Sequence, residues 1–336
     1  MASDGNADEP LNPVSLAARD IPPPATISDG ARRHLSAAAA MPPTQRPAPD
    51  DIEGWRRAVV ASEEMFRPIV DGILANCSAD ISDAEVGGVT TYVGVPRGRS
   101  VAAPIYLYFH GGAFLFGGGG FARAQAGANA ERLGCTVFSV DYRMPPDHPF
   151  PAAPEDCLAV YAELLERFAP GEIVIGGSSA GGNLAAATIL LIRERRLPMP
   201  AGLVLLTPEV DLTESGDSFQ TNELLDVMLK RGLPECNLAY ANGCDLADPL
   251  LSPLFADLAG FPPTLVQAGT RDLFLSNSVL FHRKLRSAGI EAHLHVWEAM
   301  PHGGFGGATP EDAEVYGEVG AFIRSVTGGA PSSRAA

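Results

Sequence analysis

The 336-residue chain is predicted to fold as an α/β protein, a largely parallel sheet covered by helices on both faces. Two observations carry that expectation. From Val86 onward, short apolar runs alternate with helical stretches along the chain. Near the middle, the apolar run Glu172-Ile173-Val174-Ile175-Gly176 passes into Gly177-Ser178-Ser179-Ala180-Gly181 and then into an alanine-rich helical pattern. A Gly-x-Ser-x-Gly turn between a strand and a helix exposes its central serine at the top of a sheet, with glycines two residues either side permitting close packing. Ser179 is the central serine, because centring on Ser178 would place Ala180 where the second glycine is needed.

Taken in order, residues 1 to about 50 are rich in Ala, Pro and Asp, with a short helix expected over Ala31–Met41 and mobile stretches around it. Asp50 or Asp51 can cap a helix through Trp55, Val59, Met65 and Phe66, which Pro68 interrupts or kinks. Strands are expected at Gly88–Val95, Ile105–Phe109, Thr136–Asp141, Glu172–Gly176, Gly202–Thr207, Pro263–Ala268 and Ile290–Trp297. Helices are expected near Ala122–Leu133, Glu155–Phe168, Ala180–Arg193, Ser276–Ser287 and Pro310–Val326. Their evidence is period: Val315, Tyr316, Val319, Phe322, Ile323 and Val326 fall on one stripe, as do Leu158, Tyr161, Leu165 and Phe168. Residues 211–253 break the alternation. That segment is too long for a simple connection, contains a helical pattern at Asn222–Leu233, and reads as an inserted lid.

Composition narrows the function. The 24 basic and 40 acidic residues give a net charge of −16, which argues against nucleic acid and anionic membrane as partners and favours plain solubility. Five cysteines form no C-x-x-C pair, no zinc spacing and no disulfide framework, so no metal is expected; Cys135 and Cys157 fall in core patterns. The first eighteen residues lack Lys, Arg and an apolar block, and no apolar run is long enough to span a bilayer, so a cytoplasmic protein is expected.

Acyl transfer by serine requires a base, an acid that orients it, and donors for the oxyanion. The strand Tyr106-Leu107-Tyr108-Phe109 ends in His110-Gly111-Gly112-Ala113-Phe114, a glycine loop that can turn backbone N–H groups into a pocket. The Ala180 amide, at the positive end of its helix, is the natural complement. The bland alternative is a flexible glycine loop. In this architecture the triad runs serine, acid, histidine. Four histidines follow Ser179. His282 lies in a helix, and His293 and His295 share the polar face of a strand with Glu291. His302 sits in the loop Met300-Pro301-His302-Gly303, after the last strand, and is the expected base. For the acid, Asp272 in Gly269-Thr270-Arg271-Asp272 is favoured over Glu209 and Asp211, which follow the preceding strand.

With these residues in hand, the chain resembles the hormone-sensitive-lipase-like family of α/β-hydrolase esterases. The resemblance rests on the glycine loop and the serine motif through Asn183, joined by Asp141-Tyr142-Arg143, His148-Pro149-Phe150-Pro151-Ala152-Ala153, the Asp272 loop and Pro301-His302-Gly303. It covers roughly residues 85–326. It implies the α/β-hydrolase fold, with residues 1–84 contributing cap helices, a catalytic domain over 85–328 with 211–253 as a cap insertion, and a tail at 329–336. It also implies hydrolysis of small to medium acyl esters without a cofactor, by a triad of Ser179, Asp272 and His302. Gly111, Gly112, Ala113 and Ala180 would form the oxyanion hole, and Phe114, Phe116 and Glu209 the substrate pocket. A homodimer through the last strand and helix is also compatible with it. Lactone or amide hydrolysis by the same triad is the near alternative, and a non-catalytic ligand receptor on the same fold the distant one. Three positions depart from the family pattern: Ala113 stands for a third glycine, Ser178 for an aspartate, and Glu209 for an aromatic or aliphatic residue.

Overall fold

The computed structural model describes residues 12–328; the tail expected at 329–336 and the first eleven residues lie outside it. One eight-stranded sheet organises the chain, formed by β1 (Asp80–Val86), β2 (Val89–Val95), β3 (Ile105–Phe109), β4 (Thr136–Val140), β5 (Ile173–Ser178), β6 (Gly202–Leu206), β7 (Thr264–Gly269) and β8 (Ala292–Trp297). Its order is β1-β2-β4-β3-β5-β6-β7-β8. The first two strands are antiparallel to each other, β2 is antiparallel to β4, and β3 to β8 are parallel. Apart from the partly exposed Ser178 at the end of β5, strands β3 to β7 are buried throughout, as a sheet covered on both faces requires.

The helices are α1 (Asp29–Ala39), α2 (Ile52–Asn76), α3 (Gly120–Leu133), α4 (Ala152–Leu164), α5 (Ala180–Glu194), α6 (Ser218–Thr221), α7 (Pro234–Ala241), α8 (Leu275–Ser287) and α9 (Pro310–Val326). Alternate residues of each strand serve opposite layers. Ile105, Leu107 and Phe109 face α4, α5 and α8, packing on Cys157, Val160, Leu184, Ile189, Phe281 and Leu285. Tyr106, Tyr108 and Val137 face the other way, onto Ala31, Leu35, Leu133, Val319 and Ile323 of α1, α3 and α9. A third cluster joins Trp55 of α2 to Leu115, Phe219, Leu233, Cys236, Leu273 and Phe274. Among the described residues no helix is long and apolar enough to cross a membrane.

Three local expectations need correction. The sequence DISDAEV of β1 is too polar to read as a strand; it pairs at the sheet edge through the two-residue turn Gly87-Gly88, both at positive φ, where solvent tolerates its polar face. Pro68 does not interrupt α2, which runs unbroken to Asn76 along a largely exposed stretch where a freed carbonyl can be hydrated. The helix expected at Asn222–Leu233 is absent: those residues form turns between α6 and α7. Asn222 and Asp226 give their side chains to backbone groups of other segments, a bonding pattern that competes with helix.

Candidate active site

Four loops converge at the carboxyl ends of the parallel strands, after β3, β5, β7 and β8, where open α/β sheets place their sites. The turn after β5 is sterically defined. A side chain at Gly177 would collide with the Gly181 carbonyl, and one at Gly181 with the carbonyls of Phe109 and His110. Ser179 between them has φ 57° and ψ −121°, a region that non-glycine residues avoid and that surrounding structure must enforce. Its amide donates to Leu206, while its carbonyl accepts from Asn183 and Glu209. Asn183, buried in α5, donates to the carbonyls of Glu209 and Leu251 and so pins the loop after β6 beside the serine.

Ser179 Oγ lies 2.9 Å from His302 Nε2, and His302 Nδ1 lies 3.0 Å from Asp272 Oδ1. Asp272 is fully buried, Ser179 is 7% exposed, and the His302 and Phe274 rings pack in a T shape with centroids 4.8 Å apart. Burial pushes the pKa of His302 down, but the charge and hydrogen bond of Asp272, joined by the charge of Asp226, carry it above the ordinary histidine value. The other contenders lie elsewhere. Asp211 accepts from Thr213 and Ser215 of its own turn, His282 faces the Ala292 carbonyl, and His293 and His295 stand beside Glu291 and Glu318.

After β3, Leu115 and Phe116 donate to the Gly112 carbonyl, closing a turn with Ala113 and Phe114 at positive φ. Among the described residues the amides of Gly112, Ala113 and Ala180 meet no acceptor. Gly111 lies against the nucleophile turn, where a Cβ would come 2.8 Å from the Ser178 carbonyl and 3.3 Å from Ser179 Cβ. The Tyr142 hydroxyl donates to the His110 carbonyl, and Asp141 accepts from the Gly119 amide, so the Asp141-Tyr142 motif fastens both ends of this loop. Arg143 forms a two-pronged pair with Asp156 of α4, 2.7 Å at its shortest.

Of the expected pocket residues, Phe116 is partly buried and tilts against Trp55. Phe114 is fully buried and stacked on Tyr240 at 4.0 Å, which assigns its ring to the core. Glu209 is fully buried with both carboxylate oxygens unpartnered; burial, then the charge of Glu214, raise its pKa well above the usual carboxyl value. Ser178 is the last residue of β5, paired with Leu206.

One buried neighbour of these residues is not singled out by the sequence. Asp226, placed there in a helix, is fully buried beside the triad, and one ligand-type atom from each of Asp226, Asp272 and His302 lies within 4.8 Å of the other two. These are the atoms nearest to a metal-binding arrangement among the described residues, and they are already engaged in hydrogen bonds with each other and the backbone. The available signal was Asn222 followed by Asp226, two residues that favour turns over helix interiors.

Known proteins share this fold. The alpha/beta hydrolase fold profile matches residues 106–305, more than half of the chain. The chain belongs to that family. An esterase from Acinetobacter venetianus is 33% identical over 275 residues, covering 78% of this chain and 88% of the relative. The crystal structure of esterase E25 superposes with a TM-score of 0.85 at 35% identity, covering 93% of this chain and 98% of its own. An esterase of the bacterial hormone-sensitive lipase family matches with a TM-score of 0.77 at 30% identity, covering 89% and 99%. Within the α/β hydrolases, the chain therefore falls among the hormone-sensitive-lipase-like esterases.

Proposed function

We propose that this α/β hydrolase is a serine carboxylic-ester hydrolase acting on small to medium acyl esters through an acyl-enzyme. The observation that carries the reading is the relay in which Ser179, His302 and Asp272 stand 2.9 and 3.0 Å apart beside unpartnered amides. Neutral His302 takes the proton of Ser179 as Oγ attacks the ester carbonyl, and Asp272 holds the imidazole tautomer and stabilises the imidazolium. The amides of Gly112, Ala113 and Ala180 receive the developing oxyanion, with Gly111 leaving them room. His302 then protonates the departing alkoxide, and water, deprotonated by the same imidazole, releases the acid. None of these steps uses a cofactor.

An acyl ester suits the apolar surroundings: Trp55, Leu115 and Phe274 form a buried cluster with Phe116 packed against it, and the Phe274 ring meets that of His302. The test is labelling by a fluorophosphonate and hydrolysis of a panel of p-nitrophenyl esters and lactones, with Ser179→Ala as control. No adduct on Ser179 of the folded chain would sink the reading and favour a ligand receptor. Faster turnover of lactones than of open esters would move the substrate class.

A further inference from the structure

Asp226 is a buried carboxylate that the reaction just described does not use. Its Oδ1 accepts the amides of Met228 and Leu229 at 2.9 and 3.0 Å, closing the turn in its own loop. Its Oδ2 accepts the amide of Leu273 at 2.8 Å and that of His302 at 3.2 Å. One carboxylate therefore holds the residue after the proposed acid and the backbone of the proposed base. The same loop grips the acid a second time, since the Asn222 amide group donates to the carbonyls of Asp272 at 2.8 Å and Thr270 at 3.3 Å.

We propose that Asp226 is a positioning residue for the triad: it fixes the backbone of the Asp272 and His302 loops to each other and places a second negative charge behind the imidazole. The inference rests on the esterase reading and deepens it.

Four backbone N–H donors are more than a neutral carboxyl group would require, and they favour the anion. Burial opposes this first and the charge of Asp272 second, and together they carry the Asp226 pKa up to about 6. The titratable groups that face it are Asp272 and His302. The four donors hold Asp226 as the anion, and the upward shift means that it loses this charge at a higher pH than an ordinary carboxylate does. An imidazolium forming in the transition state then meets two carboxylates, one through its Nδ1–H and one across space. The loop of residues 222–229 also becomes part of the catalytic geometry, although none of its side chains hydrogen-bonds Ser179 Oγ.

The experiment compares the full-length chain with Asp226→Asn and Asp226→Glu. It follows kcat/KM on p-nitrophenyl acetate and the rate of fluorophosphonate labelling from pH 4.5 to 9. In Asp226→Asn the acid limb of both profiles is expected to move down by at least about half a pH unit, because a charge close to His302 is lost. Its plateau is expected to fall about tenfold or more as the loops lose alignment, in kcat rather than KM. Asp226→Glu keeps the charge, so its limb stays with that of the parent even where its plateau drops. A merely structural role would lower the plateau and leave the limb in place, and that result overturns the proposal. If Asp226→Asn does not fold, Asp226→Ser replaces it, since serine retains a short acceptor for the turn without the charge. Failure of the parent to be labelled at Ser179 would overturn the esterase reading and this inference together. Labelling with an unmoved limb overturns this inference alone.

Discussion

Gly181 sits directly beneath the end of β3, so close that a methyl group on it would overlap the Phe109 carbonyl oxygen. The helix that begins at Ala180 therefore reaches the sheet backbone to backbone, and the proposed nucleophile stands at that junction. Gly181→Ala is expected to cost about 1–3 kcal/mol or more, the price of overpacking against backbone that cannot yield. Chemical unfolding would measure it, and a loss below about 0.5 kcal/mol, the usual scatter of neutral surface changes, would show that the junction relaxes.

Removal of the proposed nucleophile or base is expected to act as one event. Ser179→Ala should lower kcat by a factor of at least about 10³, and adding His302→Ala should lower it little further, because groups that share one proton transfer are not additive. Steady-state hydrolysis of p-nitrophenyl acetate checks this. Two losses that multiply would mean that Ser179 and His302 act separately.

The acid limb of kcat/KM should lie above pH 6.5 or thereabouts, the ordinary histidine midpoint. Asp272, aided by Asp226, outweighs burial and raises the His302 pKa, so the imidazole stays protonated, and unable to accept the serine proton, to a higher pH than a free side chain would. A pH profile centred below that midpoint would contradict the balance of charges described here.

Glu209 should be a liability at alkaline pH. The folded chain holds its proton more tightly than the unfolded chain, so its contribution to stability is present below the ordinary carboxyl pKa and is lost as pH rises through the raised folded value. Glu209→Gln removes the charge that neither oxygen has a partner to stabilise, and should add on the order of 1–3 kcal/mol at pH 8 with little change at pH 4.5. Thermal unfolding at both pH values decides, since an equal shift at each would place the effect in packing.

Much of the fold was legible because its strands are buried on both faces and its helices carry apolar stripes; β3 came out at its expected bounds and α9 likewise. Ser179, His302 and Asp272 could be picked out because chemistry restricts residue type, and chain order restricts position. What could not be read was whatever depends on a partner distant in sequence. Asp226 and Asn222 look like residues of a helical stretch until the Asp272 and His302 loops come to meet them. β1 escaped for a different reason: its sequence is polar, and only pairing with β2 across the local Gly87-Gly88 turn makes it a strand. The burial of Phe114 could not be read either, as it depends on Tyr240, carried by a helix that begins 120 residues further on.

The proposed nucleophile and base are joined by a hydrogen bond across 123 residues of chain, and Asp226 reaches the His302 amide across 76. Contacts of such separation carry a large loop-closure cost and form late, after the helices and local turns are in place. Recovery of esterase activity on refolding should therefore lag behind recovery of far-ultraviolet circular dichroism. Turnover would then serve as a clock for the last stage of assembly, when the loop bearing Asp226 closes on the strand ends.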